Sequence, residues 1–240
     1  MSTTYNITEQ LNTLAGLNLS NLDKPLMNTL NTLGLNYEHL SPDNMSSGLR
    51  IWQNVNEFAE MLMYLHNYPG RFSSYLEIGV RWGGSFITVS EILKKYGEVK
   101  LYANDIIPMS DILRSYKTVQ DFQYIECDSR HILEHVGCDV DLIFIDGSDS
   151  YDDMVHDYRC ALEFNPKVII FHDIRSIVFN SGYIKDHEIN SSELAWRYIK
   201  TNHSNTKEID CISTSIQRLL LGSEKLPVTY MSGGYGIITL

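Results

Sequence analysis

From Arg71 onward the sequence alternates between short apolar runs and longer amphipathic stretches, and this restricts the fold more than any other feature. The runs occupy residues 75–80, 99–103, 122–127, 140–145 and 168–171, and each leads into a polar or acidic residue. Between them lie candidate helices at 84–96, 109–117, 129–136 and 152–163. Strand, helix, strand repeated in this way predicts a parallel sheet covered on both faces, because a strand buried on both sides must be apolar throughout. Such a doubly wound α/β sheet binds ligands beyond the carboxyl ends of its strands. The polar residues that end the runs are therefore the candidates for function.

The flanks have a different texture. Residues 1–48 are rich in Asn, Thr, Ser and Leu and read as short helices and turns. Across 49–67 the positions Leu49, Ile51, Trp52, Val55, Phe58, Ala59, Leu62, Met63 and Leu65 recur at helical spacing, and Pro69-Gly70 ends that helix. Residues 1–70 are thus expected to form a helical cap or lid, and 71–240 the sheet domain. After Asp173 the pattern loosens through Gly182. A helix is expected at 191–203, and apolar runs at 207–212 and 235–240 predict a hairpin-like antiparallel pair that completes the sheet.

Composition narrows the function classes. At 43% hydrophobic and 20% charged, the chain of 240 residues can bury a core and is not disordered. A net charge of -11 opposes a non-specific grip on nucleic-acid phosphate. No apolar run approaches the roughly 18 residues of a membrane span. The four cysteines, Cys127, Cys138, Cys160 and Cys211, form no C-x-x-C pair. A reduced cytoplasmic protein with neither nucleic acid nor membrane as partner is the expectation.

The first run leads into Glu77-Ile78-Gly79-Val80-Arg81-Trp82-Gly83-Gly84-Ser85. Glycines there let a ligand approach the backbone, and the following helix offers unpaired N–H groups, although a plain tight turn would also use them. The dinucleotide fingerprint is G-x-G-x-x-G, and Arg81 occupies its second glycine. A carboxylate beside the turn repels pyrophosphate but suits a cationic ligand, which favours S-adenosylmethionine over NAD.

The segment resembles motif I of class I S-adenosylmethionine-dependent methyltransferases, E/D-x-G-x-x-x-G-x-S. That resemblance implies a seven-stranded Rossmann-like sheet, mostly parallel with an antiparallel C-terminal strand. It also implies that Glu77, Gly79, Gly83 and Ser85 surround the methionine part of the cofactor. Asp105, which ends the second run, is similar to the motif II acid that accepts the ribose hydroxyls, although it could simply cap a helix. Residues 124–129 resemble the segment that contacts adenine, which brings in Asp128 and Ser129.

A second constellation lies further on. Asp141-Leu142-Ile143-Phe144-Ile145-Asp146-Gly147-Ser148-Asp149-Ser150-Tyr151 and Val168-Ile169-Ile170-Phe171-His172-Asp173 bring oxygen ligands and one imidazole to two strand ends expected to be neighbours. Such a set suits Mg²⁺ or Mn²⁺, and the alternative is that these acids cap helices or solvate loops. Asp152 and Asp153 are assigned to the caps. I-D-G-x-x-x-Y followed by a strand ending in His-Asp resembles the macrocin-type sugar O-methyltransferase branch. The Trp196 helix and the closing Gly234-Tyr235-Gly236-Ile237-Ile238 look like that branch too. The resemblance spans residues 70–240. It implies a divalent metal on Asp146, His172 and Asp173, a small hydroxylated acceptor such as a sugar, and a tendency to self-associate. The branch usually places His or Lys as base three residues beyond the first ligand, where this chain has Asp149. Asp149 is then a base beside Asp146, a further ligand, or a mark of lost activity. Three functions follow: a metal-dependent O-methyltransferase, a binding or scaffold protein of the same fold, and a dinucleotide-dependent oxidoreductase. His131, His135 and His156 are assigned to surface or packing, Lys185 and His187 to a substrate-binding stretch, and Trp82 to either packing or the cofactor.

Overall fold

The computed structural model describes residues 6–33, 48–51, 53–180, 183–184, 191–210 and 229–240. Two short helices, α1 (Ile7–Ala15) and α2 (Lys24–Thr32), are followed by α3 (Val55–Asn67). Alternation then begins with β1 (Ser74–Ile78), α4 (Gly84–Lys94), β2 (Lys100–Asp105), α5 (Asp111–Lys117) and β3 (Gln123–Glu126). A 3₁₀ turn at Ser129–Glu134 leads to β4 (Leu142–Ile145), α6 (Tyr151–Leu162) and β5 (Val168–Phe171). The remaining elements are β6 (Arg175–Asn180), β7 (Tyr183–Ile184), α7 (Ser191–Lys200), β8 (Thr206–Ile209), β9 (Thr229–Gly233) and β10 (Tyr235–Thr239).

The main sheet has seven strands in the order β3-β2-β1-β4-β5-β10-β8. Strands β1 to β5 pair in parallel, and β10 runs antiparallel to both β5 and β8. The order reverses between β1 and β4, and at that switch point the connections leave in opposite directions and open a crevice. Every residue of β1, β4 and β5 is buried, which is why β4 and β5 are continuously apolar rather than alternating; β1 departs from this only at Ser74 and Glu77.

Helices cover both faces. Phe86, Ile87 and Tyr116 of α4 and α5 share one apolar cluster with Leu14 of α1, Leu30 of α2 and Phe58 of α3. Met154, Tyr158, Ala195 and Trp196 of α6 and α7 build the opposite one. Gly236 has a packing reason, since a Cβ there would stand 2.7 Å from the Trp196 ring.

Several expectations change. The 49–67 helix starts only at Val55, because the Asn54 side chain accepts from the N–H groups of Asn56 and Glu57 and caps it there. Leu49 and Ile51 are buried but non-helical, so their periodicity reflected burial alone; Trp52 lies outside the described residues. The 129–136 helix is a 3₁₀ turn, and the helix expected at 191–203 stops at Lys200. β6 falls in the stretch that reads as loose and makes a small second sheet with β7 and β9. β8 and β10 pair as expected but are not a hairpin, because β9 intervenes; β8 runs with β1–β5, and β10 is the antiparallel strand.

Candidate active site

The turn after β1 is held by backbone geometry. Gly79 (φ 86°) and Gly83 (φ 91°) are left-handed, as is Arg81 (φ 46°). A Cβ on Gly79 would lie 2.2 Å from the Asp146 carbonyl oxygen, so only glycine lets the ends of β1 and β4 meet this closely. Gly83 is the N-cap of α4 and supplies no side-chain cap, which leaves the first amides of that helix without one. The Arg81 guanidinium lies 4.2 Å from the centre of the Trp82 ring, and Trp82 packs against the core.

Glu77 is fully buried beneath this turn. Its Oε1 accepts from the Ser85 hydroxyl at 2.5 Å, and its Oε2 accepts from the Tyr75 hydroxyl. Burial pushes its carboxyl up to about 8, against those two hydrogen bonds. Asp105 ends β2 half-buried, with Oδ2 accepting the Arg81 N–H at 2.6 Å and Oδ1 accepting the Ile107 N–H at 3.2 Å. The expected residues Glu77, Gly79, Gly83, Ser85 and Asp105 thus surround one turn. Asp128 and Ser129 lie beyond β3 and are engaged locally. Asp128 caps the 3₁₀ turn through the Arg130 N–H, and Ser129 hydrogen-bonds to the buried Asp157.

The second constellation assembles as the spacing implied. β4 and β5 are neighbours, and the side chains beyond their ends meet: His172 Nδ1 lies 3.1 Å from Asp146 Oδ1 and 3.3 Å from Asp173 Oδ2. One donor atom from each of the three lies within 4.8 Å of the others, the arrangement a cation needs. Asp173 holds left-handed backbone (φ 57°), a conformation that Asp tolerates better than most residues. Burial works against a charged His172, but Asp173 and Asp146 outweigh it and hold the imidazole well above its ordinary value. Asp149 hydrogen-bonds to Asp173, and burial with the charges of Asp173 and Asp146 raises its carboxyl to about 6. Asp153 belongs to the α6 cap, where it accepts from the Ser148 and Ser150 hydroxyls and from Arg130.

Three residues at this site carry no motif. Gln53 is buried and donates from Nε2 to Asp146 Oδ2 at 2.7 Å. Tyr235 is buried, donates its hydroxyl to Gln53 Oε1 at 2.5 Å and lays its ring against His172, with centroids 4.9 Å apart. Glu57, in the first turn of α3, accepts the Gly234 N–H at 2.8 Å. Only Tyr235 fell in a segment the sequence singled out. Gln53 lies 93 residues from its partner, and no local spacing announces it. His131 is exposed in the 3₁₀ turn, His135 ends that turn, and His156 contacts the Cys160 sulfur. Lys185, His187 and Cys211 lie outside the described residues; the other cysteines are free thiols. Among the described residues no helix is long and apolar enough to cross a membrane.

Comparison with known proteins bears on the fold. A family model described as a methyltransferase domain matches residues 76–174. No curated protein matches the chain. Among solved structures, a Klebsiella pneumoniae protein assigned as an O-methyltransferase superposes at TM-score 0.52 and 16% identity, over 98% of this chain and 97% of that one. A Clostridium thermocellum protein assigned as an rRNA methylase gives TM-score 0.51 at 9% identity, over 76% of this chain and 96% of that one. The mycinamycin-pathway methyltransferase MycE, solved with Mg, SAH and mycinamycin VI, aligns at 17% identity and TM-score 0.38. That alignment covers 48% of this chain and 33% of MycE, so the chain spans about a third of that protein. At these identities the likeness to the Klebsiella and Clostridium proteins is one of fold.

Proposed function

We propose that this chain is a class I, S-adenosylmethionine-dependent methyltransferase, a reading supported by the match of residues 76–174 to a methyltransferase domain, and that it methylates a hydroxyl oxygen of a small molecule with a divalent cation at Asp146, His172 and Asp173. The observation that carries the reading is the meeting of those three donors within 4.8 Å, beside the glycine turn that Gly79 presses against Asp146. The donor chemistry fits the ion: two carboxylates and one imidazole are a usual set for Mn²⁺ and an acceptable one for Mg²⁺. The acceptor class, a sugar or sugar-bearing metabolite, is supported by the I-D-G-x-x-x-Y segment and the His-Asp strand end, and a cytoplasmic location belongs to the same reading.

The chain's own residues divide the work. Glu77, held by Ser85 and Tyr75, lies beneath the turn where the cationic methionine end of S-adenosylmethionine would lie, and that positive charge would favour the ionised form of a carboxyl that burial raises to about 8. Asp105, aligned by the N–H groups of Arg81 and Ile107, keeps lone pairs for ribose hydroxyls. Asp128 and Ser129 border the adenine end. Asp149 takes the hydroxyl proton as the acceptor oxygen bonds to the methyl carbon and the carbon–sulfur bond breaks. A cation at the three donors would lower the pKa of the acceptor hydroxyl and fix its direction.

Asp149 favours a second reading, in which the fold binds cofactor without turnover, because a carboxylate stands where this branch usually has His or Lys. Methyl transfer to a panel of hydroxylated acceptors, with Mg²⁺, Mn²⁺ or EDTA, separates the two. Turnover that EDTA abolishes is the expected result. Turnover undiminished by EDTA overturns the metal assignment. Tight SAH binding with no turnover on any acceptor supports the second reading.

A further inference from the structure

We propose that Gln53 is a positioning residue for the cation site, setting the Asp146 carboxylate and the His172 ring through one amide; the inference rests on the metal reading given above. Gln53 and the first turn of α3 come from the N-terminal stretch that sequence analysis assigned to a cap, yet they lie against the ends of β4 and β10. A carboxylate only accepts hydrogen bonds, so the Gln53 amide nitrogen must face Asp146 Oδ2, at 2.7 Å. The amide oxygen is then left for the Tyr235 hydroxyl, at 2.5 Å. Gln53 and Tyr235 are both buried, which shields the bond between them from water, while the bond to Asp146 is part-buried.

The consequence is geometric. With Oδ2 held by Gln53, the Asp146 carboxylate cannot spin, and Oδ1 is the oxygen turned toward His172 Nδ1 at 3.1 Å. Tyr235, fixed at its hydroxyl by the other end of the same amide, lays its ring on the imidazole of His172. Two of the three donors are thus oriented by a side chain that touches no substrate. Glu57 secures the arrangement one turn along, by accepting the N–H of Gly234 beside Tyr235. Residues behind the ligands commonly decide metal affinity in this way, by fixing which lone pair each ligand presents.

The test measures Mn²⁺ affinity by calorimetry, with SAH affinity as the internal control. Gln53→Met keeps length and volume but removes both polar contacts, and it should raise the Mn²⁺ dissociation constant about 10–100-fold. Tyr235→Phe keeps the ring on His172 and removes only the hydroxyl, and it should raise that constant about 2–10-fold, the loss of one hydrogen bond. SAH affinity should stay within about twofold in both, because the cofactor contacts assigned above do not pass through Gln53. Unchanged Mn²⁺ affinity in both variants overturns the positioning role and leaves the metal reading standing. A parallel fall in Mn²⁺ and SAH affinity also overturns it, since that marks general damage. Wild-type protein that binds no Mn²⁺ takes down both. Should Gln53→Met fail to fold, Tyr235→Phe decides the matter alone.

Discussion

The strand ends on the two sides of the switch point carry the same residue type in opposite circumstances. At the ends of β1 and β2, Glu77 and Asp105 each have both oxygens engaged by the chain's own hydroxyl or N–H donors. Beyond β4 and β5, Asp146 and Asp173 crowd around one imidazole, and Asp149 adds a third carboxylate. The first region is settled before any ligand arrives. The second concentrates negative charge, and burial raises the Asp146 and Asp149 carboxyls together. A strand end that turns an acid toward N–H donors prepares for a polar organic ligand, whereas one that turns acids toward each other prepares for a cation.

The sharpest way to break that contrast is to neutralise one acid on the crowded side. Asp173→Asn should lower kcat by about 10²–10³-fold, the scale of losing charge stabilisation at a reacting centre. SAH affinity should hardly move. Equal losses in turnover and SAH affinity, measured on the same preparation, would erase the distinction between the regions.

Gly79→Ala tests whether the regions share a seam. The new methyl would meet the Asp146 carbonyl at 2.2 Å on a backbone of φ 86°. Strain and clash together should cost about 2–4 kcal/mol, read from urea unfolding. A near-neutral result would mean that β1 and β4 can part without harm.

On the settled side, Asp105→Ala removes a charged acceptor and should weaken SAH binding by about 1.5–3 kcal/mol by calorimetry. Mn²⁺ affinity should stay unchanged. An unaltered SAH affinity in folded protein would remove Asp105 from the ribose assignment.

Per pH unit the effect is smallest at Glu77, whose folded carboxyl sits at about 8 against an ordinary 4.5. A raised carboxyl contributes stability that is full below the ordinary value and is lost as pH rises through the folded one. Wild-type stability should therefore fall across that window by up to about 1.4 kcal/mol per pH unit. Glu77→Gln should flatten that part of the curve, as followed by urea midpoints at successive pH values. A slope that persists in the variant would place its origin in another group.

Much of this was legible because it is local. A strand buried on both faces is largely apolar and its exit has to be polar, so β4 and β5 and the acids beyond them stood out in the sequence, and β1 stood out through the Glu77 that interrupts its run. The glycine turn was legible for the same reason, since close backbone approach selects glycine. What the sequence hid depends on partners far along the chain. Asn54 with Glu57 three residues on is a local helix-start signal that the apolar spacing back to Leu49 overrode, whereas nothing near Arg175 says that β6 pairs with β9, whose strand lies beyond α7 and β8. Asp128 and Ser129 read as ligand contacts, yet the structure also gives them partners within the chain, Arg130 close by and Asp157 in α6, a distinction that a short motif cannot carry.

The sequence by itself determined the alternation, the glycine turn and the acids at the strand ends, because each obeys a rule spanning a few residues. Tertiary structure alone decided that Gln53 and Tyr235 stand behind Asp146 and His172. Burying a carboxylate creates a demand for donors without naming them, and the fold meets that demand with whichever polar side chain its packing brings within reach.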